Sequence, residues 1–398
     1  MEKESLFAFI LGKNRDLSIA EVAAYLATRK VAFRVVFLGQ DFAILSLPEE
    51  HIPQIDKLGG TIKIAKVSSI LDNASISNLT IGKLFDTSLK KIKFGVSVYG
   101  PKANTAFQRE LSNSLKDQLK ALKITARYFQ TRKGQPHTSH VEVIKQNLIE
   151  GGDVVICSTP EKYFVGKTVA VHNPFDFQKR DMKKPVTRAI FSIPPRLAKI
   201  MINFLGMQSG VILDPFCGVG CILQEVVMSG FEALGTDIDK KCIEASLKNI
   251  DWLQKEYNVV VEYPYKKIFV WDAKALASKF PKNSIGGIAT EPYMGPPLKS
   301  QPDARQAKKI INELTMFYDK IFEQASIILK EGGRICIISP KFATKSGNFR
   351  IPIEKIAAKY QLNSRDPLRG MNIQHPLPYT DFEERHKLIR EIHIFEKF

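Results

Sequence analysis

The chain has 398 residues, of which 44% are hydrophobic and 25% charged, ordinary figures for a soluble globular protein of two or three domains. No apolar run reaches the roughly 18 residues of a membrane span, the mixed-charge start Met1-Glu2-Lys3-Glu4-Ser5 is unlike a signal peptide, and the five cysteines form no Cys-x-x-Cys pair, so buried free thiols in a reducing cytoplasm are expected. A net charge of +17 says nothing of fold but marks a surface that attracts polyanions, nucleic acid ahead of a merely solubilising role.

Leu6 to Leu11 reads as a first strand. Ser18-Ile19-Ala20-Glu21 fits a capping box, the serine capping a helix start and the glutamate reaching back, with Val22 and Leu26 on the apolar stripe of a helix that runs to about Thr28. Val35–Leu38 and Phe42–Leu47 flank Gly39-Gln40-Asp41 as a hairpin, and Leu58–Val67 is a turn into another strand. One helix against a few strands makes residues 1–70 a small α+β domain.

Residues 71–172 form a second unit, with strands at Lys93–Gly100, Ile124–Phe129, Asp153–Cys157 and Lys162–Val171 and helical patterns at Thr105–Leu122 and Val141–Ile149. The first helix carries Arg109, Lys116 and Lys120, and Arg127 leads into a loop with Arg132 and Lys133. A basic helix beside a basic, aromatic-bearing loop suits a phosphate backbone; a solvated face with snorkelling stems suits each single residue equally. His137 and His140 lack a neighbouring acid or cysteine, so they read as loop residues and no metal is expected. Residues 173–192 are polar and basic and read as a linker, with Arg180 counted among the cations that face RNA. Pro194-Pro195 then opens a helix, Arg196 to Phe204.

The remaining domain, 193–398, begins its chemistry at Val211-Ile212-Leu213-Asp214-Pro215-Phe216-Cys217-Gly218-Val219-Gly220, an apolar strand, an acid and a loop with two glycines. A helix pattern follows from Cys221 to Met228, and a strand, Phe231–Thr236, is closed by Asp237. This is the nucleotide-binding half of a doubly wound sheet: the glycines let backbone approach a ligand, and the second acid suits the hydroxyls of a ribose. Leu223 stands where a dinucleotide fingerprint wants its third glycine, and no Gly-Lys-Ser/Thr follows, so neither a pyrophosphate site nor a P-loop is indicated. An acid at the strand end suits a cationic cofactor. Asp214 to Gly220 resembles the first motif of S-adenosylmethionine methyltransferases, in the spelling of enzymes that methylate exocyclic base amines.

Lys267 to Asp272 is a third strand ending in an acid, and Ile285–Thr290 a fourth that runs into Glu291-Pro292-Tyr293-Met294-Gly295-Pro296-Pro297. A long helical stretch, Asp303 to Lys330, leads to a fifth strand, Arg334–Ser339; Ile353–Tyr360 is a helix, and Leu388–Glu396 alternates as a final antiparallel edge strand.

Leu11-Gly12, Ser18–Glu21, Phe94–Gly100, Gly166–Ala170, Arg180-Asp181, Lys184-Pro185, Pro194–Ala198 and Arg390–Ile392 together resemble the THUMP-containing tRNA guanine-N2 methyltransferases. The likeness implies an α/β fold in which a ferredoxin-like unit and a THUMP-like unit grip tRNA ahead of a Rossmann-like catalytic domain, with members of the family acting on guanosine ten. It implies S-adenosylmethionine as cofactor, with Asp214 near its amino acid end, Phe216, Gly218 and Gly220 in the loop, Asp237 and Ile238 at the ribose, and Asp272 with Ala273 at the adenine; Asp272 suits a helix cap as well. The family spells the fourth motif Asp-Pro-Pro-Tyr or Asn-Pro-Pro-Tyr. Glu291 takes the acid's place here, Pro292 matches, and Tyr293 replaces the second proline; a one-residue slide would start the motif at Thr290. In this reading Glu291, Pro292 and Tyr293 hold the target amine, and Glu291 capping its loop or pairing with a lysine such as Lys299 is the alternative. tRNA is the expected partner, with an unknown small activator protein left open. Rival functions are a DNA adenine or cytosine amino-methyltransferase, which leaves residues 1–170 without a role, and a catalytically silent RNA-binding protein.

Overall fold

The apolar alternation of residues 4–171 builds one sheet, and the strand–helix alternation of the remainder builds another. The computed structural model describes residues 4–398 except 133, 188–191, 299 and 383–386, and omits the side chains of 77 and 78. Lys133, expected among the RNA contacts, lies outside the described residues. Residues up to 22 with 30–176 make one compact unit; 23–29 with 177–398 make the other. No helix among the described residues is long and apolar enough to cross a membrane.

The first part of the chain runs β1 (Glu4–Leu11), α1 (Arg15–Thr28), β2 (Arg34–Leu38), β3 (Phe42–Pro48), β4 (Thr61–Asp72), β5 (Lys91–Tyr99), α2 (Thr105–Ala121), β6 (Thr125–Tyr128), α3 (His140–Lys145), α4 (Leu148–Gly151), β7 (Asp153–Ser158) and β8 (Lys162–Val171). Its strands form a single eight-stranded sheet in the order β2-β3-β1-β4-β8-β7-β5-β6. The boundary expected at residue 70 leaves no break in it, because β4 crosses that point and pairs with β8 from Lys63↔Val171 to Asp72↔Lys162. The helix expected over 141–149 is interrupted at Asn147, whose φ of 50° separates α3 from α4.

The capping box expected at Ser18 and Glu21 does not form. Ser18 lies inside α1, its hydroxyl donating to the Asn14 carbonyl at 2.7 Å. Glu21 is buried and accepts the backbone amides of Gly59 and Gly60, each at 2.7 Å. Buried amides beside a carboxylate make stronger bonds than an exposed helix end offers, so the glutamate anchors the turn into β4.

α5 (Pro174–Met182) occupies the stretch expected as a linker. The second unit continues with α6 (Pro195–Phe204), β9 (Val211–Asp214), α7 (Cys221–Met228), β10 (Glu232–Asp237), α8 (Lys240–Tyr257), α9 (Pro264–Lys267), β11 (Ile268–Val270), β12 (Ile285–Thr290), α10 (Ala304–Ile328), β13 (Leu329–Thr344), β14 (Gly347–Arg350), α11 (Ile353–Lys359), β15 (Leu362–Ser364), β16 (Tyr379–Phe382) and β17 (Ile389–Lys397). The sheet order is β11-β10-β9-β12-β13-β17-β15, with β14 on β13 and β16 on β17. β9 to β13 run parallel to one another, and the chain reverses its direction of winding between β9 and β12, the switch point at which such sheets bind ligands. β17 is antiparallel as expected but is not an edge. It pairs with β13 on one side and with β15 and β16 on the other, and its apolar and polar faces are both largely buried.

Arg180, expected to face RNA, is instead buried and ion-paired with Glu225 of α7, which also meets Lys199 of α6 at 3.2 Å. A carboxylate buried in a helix needs compensating charge. Arg180 and Lys199 supply it, so Arg180 belongs to the interior of this unit.

The first unit buries its own charges in the same way. Lys63 and Asp153 are 0% exposed, with Nζ 2.8 Å from Oδ2. Thr138 and Thr168 each donate to the Asp153 carboxylate at 2.7 Å, and Ser97 and Thr138 accept from Lys63 at 3.2 and 3.0 Å. A buried pair persists only when its remaining polar capacity is met, and breaking it strands a charge. Asp153→Ala is therefore expected to destabilise this unit by about 3–5 kcal/mol, read as a lower urea midpoint of its unfolding transition.

Candidate active site at the switch point

β9 ends in Asp214 and its neighbour β12 ends in Thr290. The Thr290 hydroxyl donates to Asp214 Oδ1 at 2.7 Å, and the Phe216 amide donates to the same oxygen at 3.1 Å. Both side chains are buried. Burial pushes the Asp214 carboxyl up to about 7; nearby Asp237 and Glu291 add to the rise, and the bonds from Thr290 and Phe216 oppose it. Thr290 is thus the last residue of β12, turned toward Asp214, and the following loop begins at Glu291.

The two glycines of the 215–220 loop have different reasons. Both take left-handed backbone, with φ of 51° at Gly218 and 84° at Gly220. A Cβ on Gly220 would lie 2.5 Å from Ser246 Oγ of α8, whereas a Cβ on Gly218 would meet nothing nearer than the Phe216 carbonyl at 4.0 Å. Gly220 is demanded by packing, and Gly218 borders open space. The Gly218 amide donates to Asp237 Oδ2 at 2.9 Å, and the other Asp237 oxygen accepts the Asp239 amide at 2.9 Å. In register, Gly235 pairs with Asp214 and Asp237 with Val270. Asp214, Asp237 and Asp272, two residues beyond Val270, therefore stand at the ends of three adjacent strands. Ile238 is 69% exposed beside them, and Ala273 is buried. Asp272 does act as a cap: it accepts the Lys274 amide at 2.9 Å, while its side chain stays 39% exposed.

An aromatic line joins the glycine loop to the fourth-strand loop. Phe216 meets Phe317 of α10 edge-on at 5.6 Å, and Phe317 meets Tyr293 at 6.4 Å. Tyr293 is 55% exposed, while Pro292 and Met294 are buried; the Tyr318 hydroxyl sits 3.6 Å from the Met294 sulfur. Glu291 is paired, with arginine: Arg390 Nε of β17 donates to Glu291 Oε1 at 2.6 Å, their side chains 4% and 11% exposed. Lys299, the partner weighed from sequence, lies outside the described residues. Arg390 also comes within 3.8 Å of Asp381. Sequence reasoning missed Phe317, the Thr290 bond and the role of Arg390. The signal for the last was a cation set inside the apolar alternation of Ile389 to Phe395.

In the first unit, Lys116 and Arg127 come together with Lys93, Tyr128 and Gln146 around a cavity of about 600 Å³. Arg109 and Lys120 are exposed on α2 outside it. Arg132 is 74% exposed and 3.4 Å from Glu142.

No family model matches the chain. It is similar to the tRNA (guanine(10)-N2)-dimethyltransferase of Pyrococcus abyssi, 30% identical over 157 residues that cover 39% of this chain and 45% of that protein. It is likewise similar to the enzyme of the same name from Methanothermobacter thermautotrophicus, 26% identical over 186 residues, 46% of this chain and 48% of the relative. The tRNA (guanine(10)-N(2))-methyltransferase of Saccharomyces cerevisiae is 27% identical over 122 residues, 30% of this chain and 28% of the relative. The resemblance read from the motifs thus has relatives behind it, though the matched stretch spans less than half the length of each. Among solved structures, TrmN from Thermus thermophilus aligns over 100% of both chains with a TM-score of 0.52 at 13% identity. The expected α/β, Rossmann-like methyltransferase architecture is the one observed.

Asp214 offers a direct test of this electrostatic arrangement. A carboxyl raised from 3.8 to about 7 on folding holds more protons in the folded state, so its contribution to stability falls as pH rises between those values and is level above them. The excess stability of the parent over Asp214→Asn should decline from about pH 4 to about pH 7 and then flatten, measured by denaturant unfolding of both proteins across that range.

Proposed function

We propose that the chain transfers a methyl group from S-adenosylmethionine to the exocyclic N2 amine of a guanosine in tRNA, at position ten as in the names of its relatives. The observation that carries this reading is the convergence of Asp214, Asp237 and Glu291 on one open-edged glycine loop at the switch point. When bound, S-adenosylmethionine supplies an electrophilic methyl on a sulfonium. The residues present suit such a ligand: Gly218 leaves a cradle that a Cβ would fill, and the surrounding carboxylates favour a cation bearing a ribose. Asp237, with lone pairs to spare beyond its two amide bonds, would accept the ribose hydroxyls. Asp272, half exposed, would accept from the adenine amine beside Ala273, and exposed Ile238 would cover the sugar.

The target amine is a weak nucleophile because its lone pair is delocalised into the ring. Glu291 Oε1 is held by Arg390, which orients Oε2 as an acceptor for one amine proton. Pro292, without an amide hydrogen, stiffens the loop and leaves its carbonyl as a second acceptor. Two acceptors turn the lone pair out of conjugation and toward the methyl group. Tyr293, exposed and backed by Phe317, provides a face on which an extruded base stacks. The basic cavity of the first unit and the exposed Arg109, Lys120 and Arg132 are assigned to tRNA phosphates, in a protein that works in the cytoplasm.

Glu291→Ala should slow methyl transfer by roughly 10²-fold or more, the scale of one transition-state contact, and Glu291→Gln should keep part of the rate because an acceptor oxygen remains. Single-turnover transfer to unmodified tRNA at saturating cofactor measures both, with thermal melting as the check on the broken Arg390 pair. Turnover within a few-fold of the parent in Glu291→Ala would remove this residue from the chemistry.

The paired reversal Lys116→Glu with Arg127→Glu should weaken tRNA binding and lower the slope of log affinity against log salt by ~1–2. Cofactor affinity should stay unchanged. Filter binding across a salt series reads the first and calorimetry the second; an unaltered slope would take the cavity out of the tRNA path.

A further inference from the structure

Lys184 is 4% exposed, yet its ammonium has a thiol for a partner: Nζ lies 3.1 Å from Cys221 Sγ. Among the described residues no carboxylate comes within ion-pair distance of it. An ammonium has three strong donors and sulfur is a weak acceptor, so this is a buried charge left short of compensation. The other buried cations among the described residues, Lys63, Arg180, Lys199, Arg390 and Lys397, all face carboxylates. Cys221 is the first residue of α7, directly after Gly220, and the Ser192 hydroxyl lies 3.0 Å from the same sulfur. Asn249 of α8 straps the Lys184 segment onto the glycine loop: its amide group donates to the carbonyls of Val186 and Val219 at 2.9 and 2.8 Å, and its oxygen accepts the Val186 amide at 2.9 Å. Lys184 is therefore anchored where the positive end of α7 also favours an anion.

We infer that Lys184, helped by Ser192 and the first turn of α7, is the binding residue for the carboxylate of the methyl donor's amino acid tail. The inference rests on the S-adenosylmethionine reading above and adds to it a division of the tail's charges. Asp214 serves the cationic side of the ligand, and Lys184 serves its one anionic group. The thiol of Cys221 fills the position in front of the ammonium and is displaced as partner by the carboxylate.

The test compares two ligands by calorimetry: S-adenosylmethionine, and decarboxylated S-adenosylmethionine, which keeps the sulfonium, ribose and adenine. The unmutated chain should prefer the first by roughly 10- to 100-fold, the scale of a charge-assisted contact. Lys184→Met, which retains the apolar stem, should lose most of that preference by weakening S-adenosylmethionine alone, with the decarboxylated ligand within about twofold of the parent. Lys184→Gln should fall between the two proteins, and the melting temperatures of both variants verify their folds. Absence of preference in the unmutated chain would overturn the inference whatever the variants do, as would equal loss of both ligands in a folded variant. An unmutated chain that binds neither ligand would overturn the methyl-donor reading itself, and this inference with it.

Discussion

The hydrogen bond from Thr290 to Asp214 is the contact on which the site depends. It joins the ends of β9 and β12 where the direction of winding reverses, so it fixes the relation of the glycine loop to the fourth-strand loop. A carboxyl in that position is nearly without solvent, and burial raises it to about 7. The cost of holding it there is met by one hydroxyl and one amide, neither of them charged. The site is thereby left with a deficit of positive charge, as a receptor for a cation should be.

Several other buried charges are neutralised by a charge of opposite sign. Lys63 with Asp153, Glu225 with Arg180 and Lys199, and Glu291 with Arg390 are pairs or triads in which the opposite charge is within hydrogen-bonding distance. These pairs link segments far apart in the chain, and two of them reach past an intervening strand, from β4 to β7 and from the end of β12 to β17. Asp214 and Lys184 have uncharged partners at the two ends of one loop, Asp214 at its start and Lys184 against Cys221 just after Gly220. Two buried, undercompensated charges of opposite sign at the ends of one glycine loop suit the zwitterionic ligand inferred above.

Much of the second unit was legible in sequence because its signals are local. The strand–loop–helix at 211–228 follows from an apolar run, an acid and two glycines, and the long helix from a sustained 3.6-residue period; the observed elements, β9, α7 and α10, fall within a few residues of those expectations. Signals that admit two partners were misread. Ser18 and Glu21 have the spacing of a capping box, but the glutamate found the amides of Gly59 and Gly60, some forty residues away in sequence. Arg180 looks like one more surface cation in a basic stretch, and only the burial of Glu225 makes it a core residue. The alternation of Leu388 to Glu396 identifies a strand but cannot say how many neighbours it has.

By itself the sequence determined the class of architecture, the glycine loop with its row of acids, and the residue types of the fourth-strand loop. Each of these is set by side-chain periodicity or by backbone freedom within a few consecutive residues. Tertiary structure alone decided that Thr290 serves Asp214, that Arg390 holds Glu291 across 99 positions, that Lys116 and Arg127 share a cavity with Lys93, and that Lys184 meets Cys221 at the end of the glycine loop. Those outcomes depend on which buried charge meets which partner, and a charge gives no sign of its partner until the surrounding chain has excluded water from both.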